Sequence, residues 1–302
     1  MLSKYISILL TILSIMKHLI TSFVLLCVAS LNLTSVANDS IAYYHYDTDT
    51  ALIAKIIHDT RKAELQSPAD RLVFIARQFI NSPYKSATLE GDTELLRINL
   101  SEFDCTTLVE TAIALAQTVA IDTASIDDFT TNLRNIRYRG GNIDGYASRL
   151  HYVSDWIADN AERGNFIEAT PQMPGATRNV KTINYISTHH FSYPALSNND
   201  SLLSCIKEVE KQYLNYNFYY IPTQKLSITP VLSALKNGDI VLFTTSTHGL
   251  DVSHMGIIAI EHGQPMLIHA SSNERRVVFD QHTLVNYIRS NKKVNGIRIV
   301  RL

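Results

Sequence analysis

The chain has 302 residues, 46% hydrophobic and 18% charged, the balance of a globular protein with room for a sizeable core. A formal net charge of −1 argues against a global field that would gather nucleic acid or hold an anionic membrane. Any charged ligand must therefore be recognised locally.

The N-terminus carries two apolar runs, 5–16 and 19–31, broken by Lys17 and His18. Read from Met16 as an alternative start, Met16-Lys17-His18 is a short basic region and 19–29 an apolar one. Ser35-Val36-Ala37 then supplies small residues at the cleavage site. That pattern predicts a secretory signal peptide over 1–37 and a mature domain over 38–302. A membrane anchor over 5–31 is the competing reading, but Lys17 and His18 would be costly in hydrocarbon. Lipid attachment at Cys27 is disfavoured by the bulky Leu26 before it. Of three cysteines, Cys105 and Cys205 remain after cleavage. They either pair in an oxidising compartment, or one of them is a working thiol.

After a polar stretch, Leu52, Ile53, Ile56 and Ile57 recur at helical spacing. Ser67-Pro68 opens a second helix with Leu72, Ile75, Ala76, Phe79 and Ile80 on one side, closed by Asn81-Ser82-Pro83. Residues 87–100 read as an irregular loop with one short extended piece. The clearest helix is 104–120, where Leu108, Ala112, Leu115, Ala116 and Val119 form an apolar stripe. Asp104 is its N-cap and Thr107 stands at N3. Helices follow at 127–136 and 150–162, the latter ended by Gly164. Residues 165–225 are mixed, with a helix at 201–213. From Gly238 onward the period drops to two, and strands are expected at 240–245, 253–260, 265–270, 276–280 and 296–301, with a short helix at 281–290. Helices first and a mostly antiparallel sheet afterwards make an α+β fold. No repeat or biased linker divides the mature chain, so one domain is expected.

Cys105 is the first residue inside its helix, where the helix dipole and free amides favour an anion. A thiol there is expected to ionise more easily and to act as a nucleophile. Its position also falls on the apolar stripe, which suits a buried structural cysteine equally well. His254 and His269 add weight to catalysis. If 261–264 is the loop of a hairpin, Ile260 pairs with Pro265 and Gly256 with His269. His254 and His269 then lie diagonally on one face, as a base and the group that orients it. A slip of one residue would put them on opposite faces. Zinc held by Cys105, His254 and His269 is the alternative, but the short ligand spacings typical of zinc are missing. No metal or cofactor is expected.

Phe103-Asp104-Cys105-Thr106-Thr107-Leu108-Val109-Glu110 resembles the nucleophile motif of NlpC-type papain-like cell-wall hydrolases, with two threonines where serine and glycine are usual. Asp251-Val252-Ser253-His254-Met255-Gly256-Ile257 resembles their histidine strand, and Leu267-Ile268-His269-Ala270-Ser271-Ser272 the strand of the third polar residue. Ser82-Pro83-Tyr84 matches the tyrosine segment before the nucleophile helix. The segments 146–152, Asp155-Trp156, 182–189 and Gly249-Leu250-Asp251 resemble one branch, the N-acetylmuramoyl-L-alanine amidase-like family of Gram-negative bacteria. The likeness runs from about Asp70 to the C-terminus.

The resemblance implies a papain-like fold with family-specific insertions, a periplasmic location, and hydrolysis of the amide between muramic acid and L-alanine. The expected substrates are small muropeptides, 1,6-anhydro forms among them. Cys105, His254 and His269 are the implied catalytic residues, and Tyr84 an implied oxyanion donor. Arg149, His151, Tyr152 and Trp156 are candidate substrate contacts, with Arg149, Tyr152 and Trp156 on one helix face. Packing by the two aromatics beside a surface arginine is the other reading of that face. Asp251 and Ser271 are candidates for a supporting role, and Cys205 is read as structural. Three rivals stand beside the amidase: a γ-D-glutamyl–diamino acid endopeptidase, a wall-binding module without catalysis, and an acyltransferase or transglutaminase-like reaction at the same thiol.

Overall fold

In the computed structural model, which describes residues 41–302, the helices gather in the first half of the chain and the main sheet in the second. The signal-peptide expectation, with Met16, Cys27 and 35–37, lies outside the described residues. Helices α1 (Tyr46–Lys62), α2 (Pro68–Gln78), α3 (Cys105–Val119), α4 (Ile126–Arg137) and α5 (Val153–Glu162) precede the sheet. A short α6 (Tyr185–Thr188) and a longer α7 (Asp200–Lys211) follow, and α8 (Thr229–Ala234) and α9 (Leu284–Ser290) are short. A small parallel pair joins β1 (Ile41–Tyr43) to β2 (Leu96–Ile98).

The main sheet contains β3 (Ile167–Glu168), β4 (Thr177–Lys181), β5 (Tyr216–Pro222), β6 (Ile240–Thr245), β7 (Val252–Glu261), β8 (Gln264–Ser271), β9 (Arg276–Thr283) and β10 (Val294–Arg301). Its order is β4-β5-β10-β6-β7-β8-β9, with β3 also on β10. Every pairing in it is antiparallel. The chain is thus an α+β protein with a mostly antiparallel sheet, as its periodicities predict. The described residues lie in one compact unit. None of their helices is long and apolar enough to cross a membrane.

The central strands β6, β7, β8 and β10 are buried on both faces, and the alternation of side chains along them sorts the core. Leu242, Met255, Ile257, Ile268 and Ala270 pack in one cluster with Leu108, Ala112 and Leu115 of α3. Val241, Phe243, Ile258 and Leu267 pack in a second with Leu284 and Ile288 of α9. A third cluster, with Tyr152, Ile183, Ile186, Ile206 and Tyr213, binds the segment between α5 and β5 together.

Two expectations are corrected here. The helix predicted over 150–162 starts at Val153, because Tyr146–Ser148 is a 3-10 turn and Tyr138 pairs with Arg149 as an isolated bridge. Arg149 is therefore extended rather than helical, and it shares no helix face with Tyr152 and Trp156. The mixed region 165–225 also holds two paired strands, β4 and β5, which its polar, aromatic composition conceals.

Candidate active site

Asp104 sets where α3 begins. Its Oδ1 accepts the backbone N–H of Thr106 (3.0 Å) and Thr107 (2.8 Å), and Thr107 Oγ1 accepts the N–H of Asp104 (2.9 Å). This reciprocal capping box fixes Cys105 in the first turn. The segment just before it is held as well. Phe103 N–H donates to Pro83 O, Lys85 N–H to Phe103 O, and Tyr84 N–H to Arg275 O. Residues 83–85 are thereby laced between the Cys105 segment and the start of β9, with the Tyr84 hydroxyl in the field of the Cys105 sulfur.

The hairpin of β7 and β8 closes on His262-Gly263, both with positive φ (49° and 75°). A two-residue turn of that hand matches the twist of the flanking strands. The loop is two residues shorter than the four expected, because Glu261 and Gln264 pair as well, but the register is the one predicted: Ile260 opposes Pro265 and Ile257 opposes Ile268. A register shift between Phe243 and Thr244 leaves Ser253 unopposed and sets His254 against Phe243. His254 Nε2 and His269 Nδ1 then stand 2.8 Å apart. Gly256 permits this approach, since a Cβ there would lie 2.8 Å from Ile268 O and 3.0 Å from His269 Cβ.

The sulfur of Cys105 meets the backbone N–H of Met255, the residue after His254, and its own backbone N–H; Thr106 Oγ1 is 4.0 Å away. Tyr287 of α9 closes the other side. Its ring lies 5.1 Å from that of His269 and 6.3 Å from that of His254, and its hydroxyl feels the charge of Cys105. Phe243 packs 5.6 Å from His254. The helix tip thus meets the hairpin backbone one residue from His254, and Tyr287 lies near both the sulfur and the two imidazoles.

The electrostatics differ from expectation. Burial, and then the Asp104 carboxylate, push the Cys105 thiol up to about 12, outweighing the amides that favour a thiolate. Burial, and then His269, push His254 down to about 3. The resting pair at neutral pH is a neutral thiol beside a neutral imidazole. With Nε2 engaged to His269, Nδ1 of His254 is the ring nitrogen left to take a proton.

A cleft of about 320 Å³ adjoins this spot, lined by Asp104, Thr106, Glu90, Tyr146, Arg149 and His151 among others. Arg149 is buried in its wall, paired with Glu90 (2.8 Å) and Glu94 (3.4 Å) and lying over the Tyr146 ring. Glu90 bonds its Nη2 and Glu94 lies 3.4 Å from its Nε, so the guanidinium expected to meet a substrate carboxylate is already charge-paired within the protein. His151 engages Tyr146 O through Nε2 (2.7 Å), and burial pushes it down to about 3.

Tyr152 and Trp156 are corrections. Tyr152 is buried, with its hydroxyl donating to Glu210 (2.7 Å) and accepting the N–H of Ile186 (2.7 Å). Trp156 is buried against Phe166 in the main core. Both pack the fold, the reading that large aromatics usually deserve. Asp251 accepts the N–H of Ser154 (2.6 Å) and so caps α5, while Ser271 accepts the N–H of Glu274 (3.1 Å) in the turn before β9. Neither is drawn to the thiol by these bonds. Cys105 and Cys205 are both free thiols, and Cys205 is exposed on α7. Among the described residues no three His, Cys, Asp or Glu side chains are arranged to hold a metal ion. Sequence reasoning missed Tyr287 and the carboxylate of Asp280, 3.6 Å from His269 Nε2. No local motif marks either, and only the hairpin's outer neighbours would have suggested them.

Known proteins resemble this chain in sequence and in overall fold. An N-acetylmuramoyl-L-alanine amidase from Bacteroides uniformis is 36% identical, with a TM-score of 0.72 over 78% of this chain and 98% of that one. A Bacteroides fragilis protein described as a xylanase is 40% identical, with a TM-score of 0.70 over 75% of this chain and 98% of that one. A Legionella pneumophila protein at 23% identity shares the fold, with a TM-score of 0.66 over 85% of this chain and 95% of that one. No curated protein matches the chain. The family described as N-acetylmuramoyl-L-alanine amidase-like matches residues 74–297, most of the chain's length, and the chain belongs to that family.

Proposed function

We propose that the chain is a cysteine-dependent N-acetylmuramoyl-L-alanine amidase of the papain-like NlpC type. We further propose that it is exported to the periplasm and acts on soluble muropeptides, 1,6-anhydro forms among them. The observation that carries the reading is the 2.8 Å contact of His254 Nε2 with His269 Nδ1 beside a cysteine at a helix tip. In this mechanism His254 Nδ1 removes the Cys105 proton as sulfur attacks the lactyl carbonyl of muramic acid. The amide N–H of Cys105 and the Tyr84 hydroxyl stabilise the oxyanion. The C–N bond then breaks, the L-alanine nitrogen leaves with the proton from His254, and water hydrolyses the thioester. His269 holds His254 in the productive tautomer throughout.

The neutral resting pair supports proton transfer concerted with attack rather than a preformed thiolate. The xylanase description of one relative has less support here. Glycoside hydrolysis ordinarily needs two carboxyl groups flanking the bond, and the carboxylates lining this cleft are engaged elsewhere: Asp104 in the cap of α3, Glu90 with Arg149 and Glu110 with Arg137. Rapid quenching with an anhydro-muropeptide tests the mechanism. The protein should gain the mass of the muramoyl sugar at Cys105, and Cys105→Ala should show neither adduct nor turnover. Turnover that survives Cys105→Ala would overturn the assignment.

A further inference from the structure

His269 accepts or donates at Nδ1 toward His254, but its other nitrogen is the informative one. Nε2 is buried and has no hydrogen-bond partner within normal distance among the described residues. The group facing it is Asp280 of β9, with Oδ2 at 3.6 Å. Strand pairing explains the placement. His269 opposes Val278, and Asp280, two residues along, shares the face of Val278. Between Ile268–Phe279 and Met266–Thr283 the ladder shifts register, with 280–282 set against Leu267 alone. Such a bulge re-aims side chains beside it. The carboxylate is also held from behind: its Oδ1 accepts the backbone N–H of His282 (2.8 Å) and lies 3.0 Å from His282 Nδ1. One oxygen is anchored, and the other faces His269.

We propose that Asp280 is a positioning residue that selects the working tautomer of the histidine pair, an inference that rests on the amidase reading above. Two proton arrangements are possible for neutral His254 and His269. With the proton of His269 on Nε2, facing Asp280, its Nδ1 accepts from His254 Nε2–H and leaves His254 Nδ1 as a bare lone pair. With that proton on Nδ1, His269 donates to His254 Nε2, the proton of His254 moves to Nδ1, and the base is blocked. A carboxylate at Nε2 favours the first arrangement by Coulomb attraction and steadies the imidazolium that forms when the thiol proton arrives. Asp280 touches no reacting atom and acts through His269.

Nitrogen-15 NMR of histidine-labelled protein, without substrate, reads the tautomer directly. The resting protein should show His269 protonated at Nε2 and His254 also at Nε2. Asp280→Leu should move His269 to the Nδ1–H form and lower kcat about tenfold or more with KM unchanged, a part of the 10²–10⁴-fold that general acid–base catalysis supplies. Asp280→Asn keeps an acceptor oxygen and should keep the tautomer with a smaller loss in kcat. Finding His269 protonated at Nδ1 in the unmodified protein would overturn the proposal even if Asp280→Leu does not fold, as would wild-type kcat in a folded Asp280→Leu. Failure of the amidase reading would appear separately, as absence of muropeptide turnover by the unmodified protein.

Discussion

At the scale of single residues, the site works against the rule that a cysteine at a helix tip is acidic. The amides of the first turn are present, but burial and the neighbouring Asp104 carboxylate dominate and hold the thiol near 12. Iodoacetamide reacts with thiolate, so its rate at Cys105 should climb through the neutral range without levelling off below pH 8, a point well under that value. Asp104→Asn keeps a capping oxygen and removes the charge. It should therefore speed alkylation at pH 7 while leaving the melting temperature nearly unchanged. A rate equal to that of the unmodified protein would show that Asp104 does not hold the thiol up. On the proposed mechanism His269→Ala should lower kcat about 10²-fold, since the base loses its orienting partner, and His269→Asn should restore part of that, measured on an anhydro-muropeptide. The acid, base and nucleophile candidates could be read from short segments because each sits in a local pattern: a cap, a helix start, an alternating strand. Arg149, Tyr152 and Trp156 could not, since whether an aromatic or an arginine faces a ligand or the core depends on partners such as Glu90, Glu94 and Glu210 that are distant in sequence.

Among the elements, the β7–β8 hairpin matters most. Its alternation and turn residues revealed both its existence and its register, and register alone decides whether His254 and His269 share a face. Gly256 is a close crossing point of the two strands, where a side chain would collide with Ile268 O and His269 Cβ. Gly256→Ala should force the strands apart and reduce kcat at least about tenfold, with a stability loss of about 1–3 kcal/mol typical of overpacking. Urea unfolding and steady-state kinetics on the same sample check both, and unchanged kcat would mean the histidine pair tolerates the shift. By contrast β4 and β5 were not legible. β4 is almost wholly polar and β5 carries aromatics on both faces, so neither shows a clear apolar face, and Val180 and Tyr219 remain exposed. The late start of α5 has a similar cause, for its first turn is capped by Asp251 from almost a hundred positions onward, as no local signal could indicate.

For the whole molecule, the buried neutral imidazoles make stability depend on pH. His151 and His254 are both pushed from an ordinary 6.5 to about 3 by burial first of all. Between those values the unfolded chain takes up protons that the native protein refuses, so stability is complete above about 6.5 and falls as the pH drops. Glu94 and Glu110, raised by burial above their ordinary value, act in the opposite sense, adding stability as the pH falls through their raised values. The melting temperature should therefore decline from pH 7 to pH 5, and His151→Gln should flatten that decline. A curve unchanged by this substitution would mean His151 titrates normally. The fold as a whole brings a helix tip, a clamped tyrosine segment and a hairpin to one place, and the account depends on that convergence cutting one bond. Mass spectrometry of the products from a 1,6-anhydro-N-acetylmuramoyl tripeptide tests it most directly. The account predicts anhydro-N-acetylmuramic acid and a tripeptide with a free L-alanine amine, with neither formed by Cys105→Ala. Cleavage within the peptide, or cleavage that persists without the sulfur, would contradict it.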